Sequence, residues 1–198
     1  MRYVVTGGAG FIGSALARHL LEAGHEAVVL DDFSTGKEAN LTGVSGPLTI
    51  ARGSIVDAPF VARTLQGADG VFHLAAVASV QRSVDDPLFC HSVNVTGTLN
   101  VLGAARDNGV PRVVLSSSAA VYGEADDFPL AETVPTGPIS PYGVHKLMNE
   151  LYARLYSELG WLETVCLRYF NVFGPRQDPT GDYAAVVPKF ITSVLAGE

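Results

Sequence analysis

A chain of 198 residues has room for one domain, or for one domain and a piece of a second. Hydrophobic residues at 47% against charged residues at 17% supply enough apolar surface for a packed core, which excludes a disordered chain. The formal net charge of −7 leaves no basic face to displace counterions, which excludes a sequence-blind nucleic-acid binder.

The first apolar run, Tyr3–Thr6, reads as a strand. It passes into Thr6-Gly7-Gly8-Ala9-Gly10-Phe11-Ile12-Gly13-Ser14, and a helix follows with Ile12, Leu16 and Leu20 at four-residue steps. Gly7, Gly10 and Gly13 fit G-x-x-G-x-x-G, and Gly8, Gly10 and Gly13 fit G-x-G-x-x-G. Between a strand and a helix, such glycines allow a tight turn and let bare backbone approach a pyrophosphate at the positive helix end. The second strand, Ala27–Leu30, ends at Asp31-Asp32. An acid here can accept hydrogen bonds from both ribose hydroxyls and repels a 2′-phosphate, which favours NAD over NADP. Asp31, at the strand tip, is the expected ribose ligand; Asp32 is read as capping the turn Ser34-Thr35-Gly36. A third strand, Leu48–Ala51, leads to Asp57, which either touches an adenine or caps a helix starting at Ala58.

The fourth strand pattern is Gly70–Leu74. A lone histidine in such a run is usually a satisfied interior residue, so His73 is given no chemical role. Val93, Leu99, Leu102 and Ala105 mark a second helix, and Arg112–Ser116 a fifth strand. The polar segment Gly123–Ser140, with Pro129, Pro135 and Pro138, is long enough to be a functional loop. Leu147, Leu151, Leu155 and Leu159 mark a third helix, opened by Pro141-Tyr142-Gly143-Val144-His145-Lys146. Thr164–Arg168 is the sixth strand, Phe170–Tyr183 a second functional loop, and Ala184–Leu195 an amphipathic helix.

Strands without strict alternation, separated by helices, indicate βαβ units. The expected fold is α/β: a doubly wound, Rossmann-like parallel sheet with helices on both faces, plus the start of a small C-terminal substrate domain. Right-handed crossovers gather the strand C-terminal ends, and hence the ligand, along one edge. No apolar run reaches the ~18 residues that suggest a membrane span. The N-terminus enters its strand without a charged-then-apolar leader, which reads as cytoplasmic. Cys90 and Cys166 are expected to be buried free thiols of a reducing compartment. His19, His25 and His91 have no partners at ligand spacing, so no metal is expected.

Tyr142 and Lys146 are i, i+4 neighbours on one helix face. An ammonium beside a phenol favours the phenolate, so the tyrosine can serve as a base while the lysine also holds a cofactor ribose. A serine at a strand C-terminal end, Ser118, can share a hydrogen bond with the same substrate hydroxyl.

These residues resemble the extended short-chain dehydrogenase/reductase family, and within it the nucleotide-sugar 4-epimerases of the UDP-glucose 4-epimerase type. The likeness covers Thr6–Ser14, Asp31, Asp57, His73–Ala76, Asn94–Thr98, Ser116–Gly123, Tyr142–Lys146 and Leu167–Asn171. It implies a catalytic set of Ser118, Tyr142 and Lys146. It also implies NAD contacts from Gly7, Gly10, Phe11, Ile12, Gly13, Asp31, Ile55 and Asp57. Leu74, Ala75, Ala76, Asn94, Ser116, Tyr142, Lys146 and Tyr169 complete that implied surface. On the substrate side it implies Ser79, Val80, Ser118, Tyr142, Asn171, Ala185 and Val186; Ser83 is either a hexose neighbour or an ordinary polar loop residue.

The similar sugar 4,6-dehydratases carry Asp-Glu after the hydroxyl residue, where this chain has Ala119-Ala120. Without that acid, elimination of water lacks a proton donor, so dehydration ranks behind C4 epimerisation of a UDP-hexose. A non-catalytic NAD-binding protein is a further alternative, disfavoured because such relatives commonly lose the tyrosine or lysine. Gly174–Pro179 and Tyr183–Pro188 resemble the branch that handles UDP-N-acetylhexosamines or both sugar kinds. The resemblance implies an NAD domain over residues 1–170, the start of a substrate domain over 171–198, and a homodimer through Pro87–Ala105 and Tyr142–Leu159. Relatives run on for about a domain's length, so a truncated chain that holds UDP-sugar poorly and exposes Phe190, Ile191 and Val194 is expected.

Overall fold

The computed structural model describes residues 1–125, 128–177 and 186–197. Six parallel strands form one sheet: β1 (Arg2–Thr6), β2 (Glu26–Asp31), β3 (Leu48–Arg52), β4 (Gly70–His73), β5 (Arg112–Ser118) and β6 (Glu163–Tyr169). Their spatial order is β3-β2-β1-β4-β5-β6, so the chain winds outward from β1 in both directions. The reversal point lies between β1 and β4, the place in open α/β sheets where ligands bind beyond the strand C-terminal ends.

The inner strands are apolar on both faces because helices cover both. On one face Val4, Val28, Leu30, Val71, Val113 and Leu115 pack with Val101 and Leu102. On the other, Val29 and Ala27 pack with Ala17 and Leu21 of α1 (Phe11–Glu22). Each fully buried aliphatic side chain contributes roughly 1.5–3 kcal/mol of transfer free energy. Edge strand β6 instead alternates, exposing Val165 and Leu167 while Cys166 and Arg168 turn inward.

The remaining helices are α2 (Ala58–Thr64), α3 (Val80–Asp85), α4 (Pro87–His91), α5 (Gly97–Asp107), α6 (Pro141–Glu158) and α7 (Val186–Ala196). The helix expected from Val93 starts earlier, at Pro87, and continues from α4 into α5 through a wide π-type turn at Ser92–Thr96. Helix α3 carries no apolar period in the sequence; Ser79 caps it and it is under two turns long. Cys90 is buried and Cys166 only half-buried, both as free thiols, and burial pushes the Cys166 thiol up to about 11. Phe190, Ile191 and Val194 of α7 are exposed. Among the described residues no helix is long and apolar enough to cross a membrane.

Candidate active site

The glycine turn joins β1 to α1. Gly7 has φ +67°, and a Cβ there would lie 2.7 Å from the Ala75 nitrogen. A Cβ on Gly13 would collide with the Gly7 carbonyl. The fold itself therefore demands these two glycines. Gly10 caps α1 without any side chain, and no acid stands in the first turn, which leaves the first N–H groups of the helix without a side-chain cap. Phe11 and Ile12 are half-buried in that same turn.

Asp31 is buried at the tip of β2. One carboxylate oxygen accepts from the Ala9 N–H at 2.9 Å and the other from the Phe33 N–H at 2.8 Å. It thus braces the glycine turn against β2, a task the sequence does not reveal. Each oxygen keeps lone-pair capacity for a ribose hydroxyl. Asp32 accepts from the Ser34 N–H at 2.9 Å, as a turn cap. Asp57 caps α2 through the Phe60 N–H at 3.0 Å. The Ile55 side chain lies in the core under Gly97, and its carbonyl accepts from Asn100 Nδ2 at 3.0 Å.

Leu74, Ala75 and Ala76 follow β4 across the reversal point. Asn94, in the π turn, clamps this loop: its side chain accepts from the Val77 N–H at 2.7 Å and donates to the Val77 carbonyl at 3.0 Å. Its place at a helix irregularity fits the tendency of π turns to mark functional sites. A backbone cradle that a Cβ would fill, an uncapped helix start and a braced carboxylate fit a dinucleotide.

The proposed chemistry sits on α6 and the end of β5. Ser140 caps α6 at the Gly143 N–H, 3.1 Å away, and Pro141 takes the first turn. Ser83 is not a loop residue. It is fully buried on α3, donates to the Val80 carbonyl at 2.6 Å, and accepts from the Tyr142 N–H at 3.0 Å. It fixes the backbone of the proposed base. A Cβ on Gly143 would lie 2.6 Å from the Ala120 carbonyl, so this glycine lets α6 press against the turn that follows Ser118. Ser118 caps that turn through the Ala120 N–H at 3.1 Å. Ala119 and Ala120 are half-buried there and bring no acid.

Lys146 is 4% exposed. Its Nζ donates to the Ser116 carbonyl at 2.7 Å and to Ser116 Oγ at 3.3 Å, and lies 5.7 Å from the Tyr142 ring centroid. Burial lowers its pKa to about 8, so it keeps a proton at neutral pH. Three further features have no signal in the sequence. Arg168 pairs with Glu150 at 2.8 Å, Ser117 donates to the same carboxylate, and Arg168 also reaches the Glu132 carbonyl at 3.2 Å. Burial raises the Glu150 pKa, but Arg168 and Ser117 more than offset it and hold the carboxyl below its usual range. The group ties the loop before α6 to the sheet edge.

Ser79 serves as the cap of α3, accepting from the Arg82 N–H at 3.0 Å, and Val80 begins that helix. Tyr169 pairs with Ser118 across β5 and β6, and exposed Asn171 follows it. Ala185 lies outside the described residues; Val186 starts α7. His145 packs edge-to-face on His91, 5.4 Å between centroids.

The sheet order and the glycine turn define an α/β protein of the dinucleotide-binding class, with Tyr142 and Lys146 one turn apart on α6. Residues 3–198 match the NAD dependent epimerase/dehydratase family, and the chain belongs to it. It is 44% identical to a UDP-glucose 4-epimerase of Mycolicibacterium smegmatis, over 100% of this chain and 64% of that protein. A UDP-N-acetylglucosamine 4-epimerase from Methanobrevibacter ruminantium, solved in complex with UDP-N-acetylmuramic acid, superposes with a TM-score of 0.93 at 44% identity, covering 100% of this chain and 63% of that one. The Thermus thermophilus UDP-glucose 4-epimerase complex with NAD gives 0.90 at 43% identity, again over 100% and 63%. The chain thus spans somewhat under two thirds of these relatives.

Proposed function

We propose that the chain binds NAD and takes part in the reversible inversion of C4 of a UDP-hexose, either the glucose/galactose pair or the N-acetylated pair. The observation that carries this is the buried Lys146 beside Tyr142, with Ser118 at the neighbouring strand end and Ala119-Ala120 after it. The names of the relatives support the same reading.

Gly7, Gly10, Phe11, Ile12 and Gly13 hold the pyrophosphate, Asp31 a ribose, Asp57 and the Ile55 backbone the adenine side. Leu74, Ala75, Ala76, Asn94, Ser116, Lys146 and Tyr169 line the nicotinamide side. When bound, NAD supplies reversible hydride acceptance, so oxidation and reduction at C4 cancel. Tyr142 takes the C4-hydroxyl proton as a phenolate and returns it after inversion. Ser118 hydrogen-bonds the same oxygen. The Lys146 ammonium lowers the cost of the phenolate. Ser79, Val80, Asn171, Ala185 and Val186 belong to the sugar-nucleotide side.

The same reading assigns residues 1–170 to cofactor binding and 171–198 to the start of a substrate unit. A homodimer through Pro87–Ala105 (α4, the π turn and α5) and Tyr142–Leu159 (α6) is part of it, supported by exposed Leu88, Phe89, Val144, Leu151 and Leu155. The free thiols support a cytoplasmic setting. The test is to add UDP-glucose, UDP-N-acetylglucosamine and UDP-glucuronate to the full protein. The expected result is a C4-inverted product from a neutral hexose; no C4 inversion with any of them contradicts the reading.

A further inference from the structure

His73 is a buried titratable group that the proposed chemistry does not use, and both of its ring nitrogens are engaged. Nδ1 lies 2.8 Å from Thr6 Oγ1 and Nε2 lies 2.9 Å from Thr98 Oγ1. The direction of these bonds follows from their neighbours. Thr98 donates its only hydroxyl proton to the Asn94 carbonyl at 2.7 Å, so towards His73 it can only accept. Nε2 therefore carries the hydrogen and Nδ1 is bare. Thr6 donates to Nδ1, and its oxygen accepts the Leu74 and Ala75 N–H groups, each at 3.2 Å. The opposite tautomer would aim three donors at the Thr6 oxygen and strand its proton.

The ends of this relay bear on the site. Thr6 immediately precedes Gly7, and Gly7 packs on Ala75 so closely that no Cβ fits. The Asn94 carbonyl also accepts from Asn149 Nδ2 of α6 at 2.9 Å, one turn after Lys146. The Asn94 side chain holds Val77.

We propose that His73 is a positioning residue for the cofactor: as the neutral Nε2–H tautomer it locks the glycine turn to the Leu74–Val77 loop and links that unit to the helix bearing Tyr142 and Lys146. The proposal rests on the NAD reading above. Neutrality has support beyond the hydrogen-bond directions: burial and the charge of Lys146 lower His73 to about 3. Thr6, Thr98 and Asn94 bring no charge to it.

The test is NAD affinity by calorimetry, paired with ¹⁵N NMR of the histidine rings. His73→Leu and Thr6→Val each break the relay and are expected to weaken NAD binding about tenfold, the scale of one or two lost buried hydrogen bonds. His73→Gln can accept from Thr6 through its oxygen and donate to Thr98 through its nitrogen, so it should stay within about threefold of wild type. The wild-type ring should show a protonated Nε2 and an unprotonated Nδ1. Thr6→Val keeps the test open if His73→Leu fails to fold. Unchanged affinity in Thr6→Val, failure of His73→Gln to rescue, or an Nδ1–H ring overturns the proposal alone. Absence of NAD binding to the wild-type protein overturns the cofactor reading and this role with it.

Discussion

Lys146 is 4% exposed, and a buried ammonium is costly unless it is paired or hydrogen-bonded. The Ser116 carbonyl at 2.7 Å offsets part of that cost, and the phenol ring 5.7 Å away gives the charge a task. The energetics have a testable sign. The folded pKa of about 8 lies below the ordinary 10.5, so between those values the unfolded chain binds more protons. Stability from this group therefore rises as pH climbs from about 8 to about 10.5. Below 8 the full burial cost remains. The gap between the urea midpoints of wild type and Lys146→Met should change across that window, the wild type gaining the rise that the variant lacks. Parallel curves would contradict the burial argument. Tyr142→Phe keeps the ring and removes the proton acceptor. Turnover is expected to fall roughly 100- to 10,000-fold with NAD affinity little changed, measured by steady-state kinetics and calorimetry.

At the scale of elements, the base is placed by contacts between segments distant in sequence. Ser83 of α3 holds the Tyr142 N–H, and Gly143 admits the Ala120 carbonyl. Gly143→Ala would put a methyl where only 2.6 Å is available and push the start of α6 off the β5 end. A stability loss of roughly 1–3 kcal/mol is expected from overpacking, with turnover cut further, about 100-fold, because reacting groups shift. Thermal melts and kcat would separate the two effects. What can be read in the sequence follows the same division. The glycine turn, Asp31 and the Tyr142–Lys146 spacing are local patterns, and strands buried on both faces announce themselves as apolar runs. Ser83, Gly143 and the Glu150–Arg168 pair are not legible, because each matters through a partner brought near only by the fold. Helix α3 has a single buried residue, so it carries no apolar period, and the π turn holds Asn94, whose partner Val77 lies far off in the chain. His73 is legible as a satisfied interior residue, but its partners Thr6 and Thr98 are distant in the chain and only the fold brings them to it.

For the whole molecule, winding outward from β1 puts the glycine turn after β1 and the Ser116–Ser118 end of β5 at the same, C-terminal edge of the parallel sheet. On the outside, Val144, Leu151 and Leu155 recur on α6 at seven- and four-residue spacing and are exposed with Leu88 of α4. If they form the proposed dimer contact, Leu151→Glu with Leu155→Glu should give a folded monomer by sedimentation. A wild-type monomer would remove the dimer from the account. Hydride removal and return at C4 leave a signature that isotope labelling at that carbon reads out. The full protein, loaded with NAD, would be given UDP-galactose, or its N-acetylated counterpart, bearing deuterium at C4. The C4-inverted product is expected to keep its deuterium at C4. Deuterium moved to C6 in a dehydrated product, or lost to solvent, would contradict hydride return at C4.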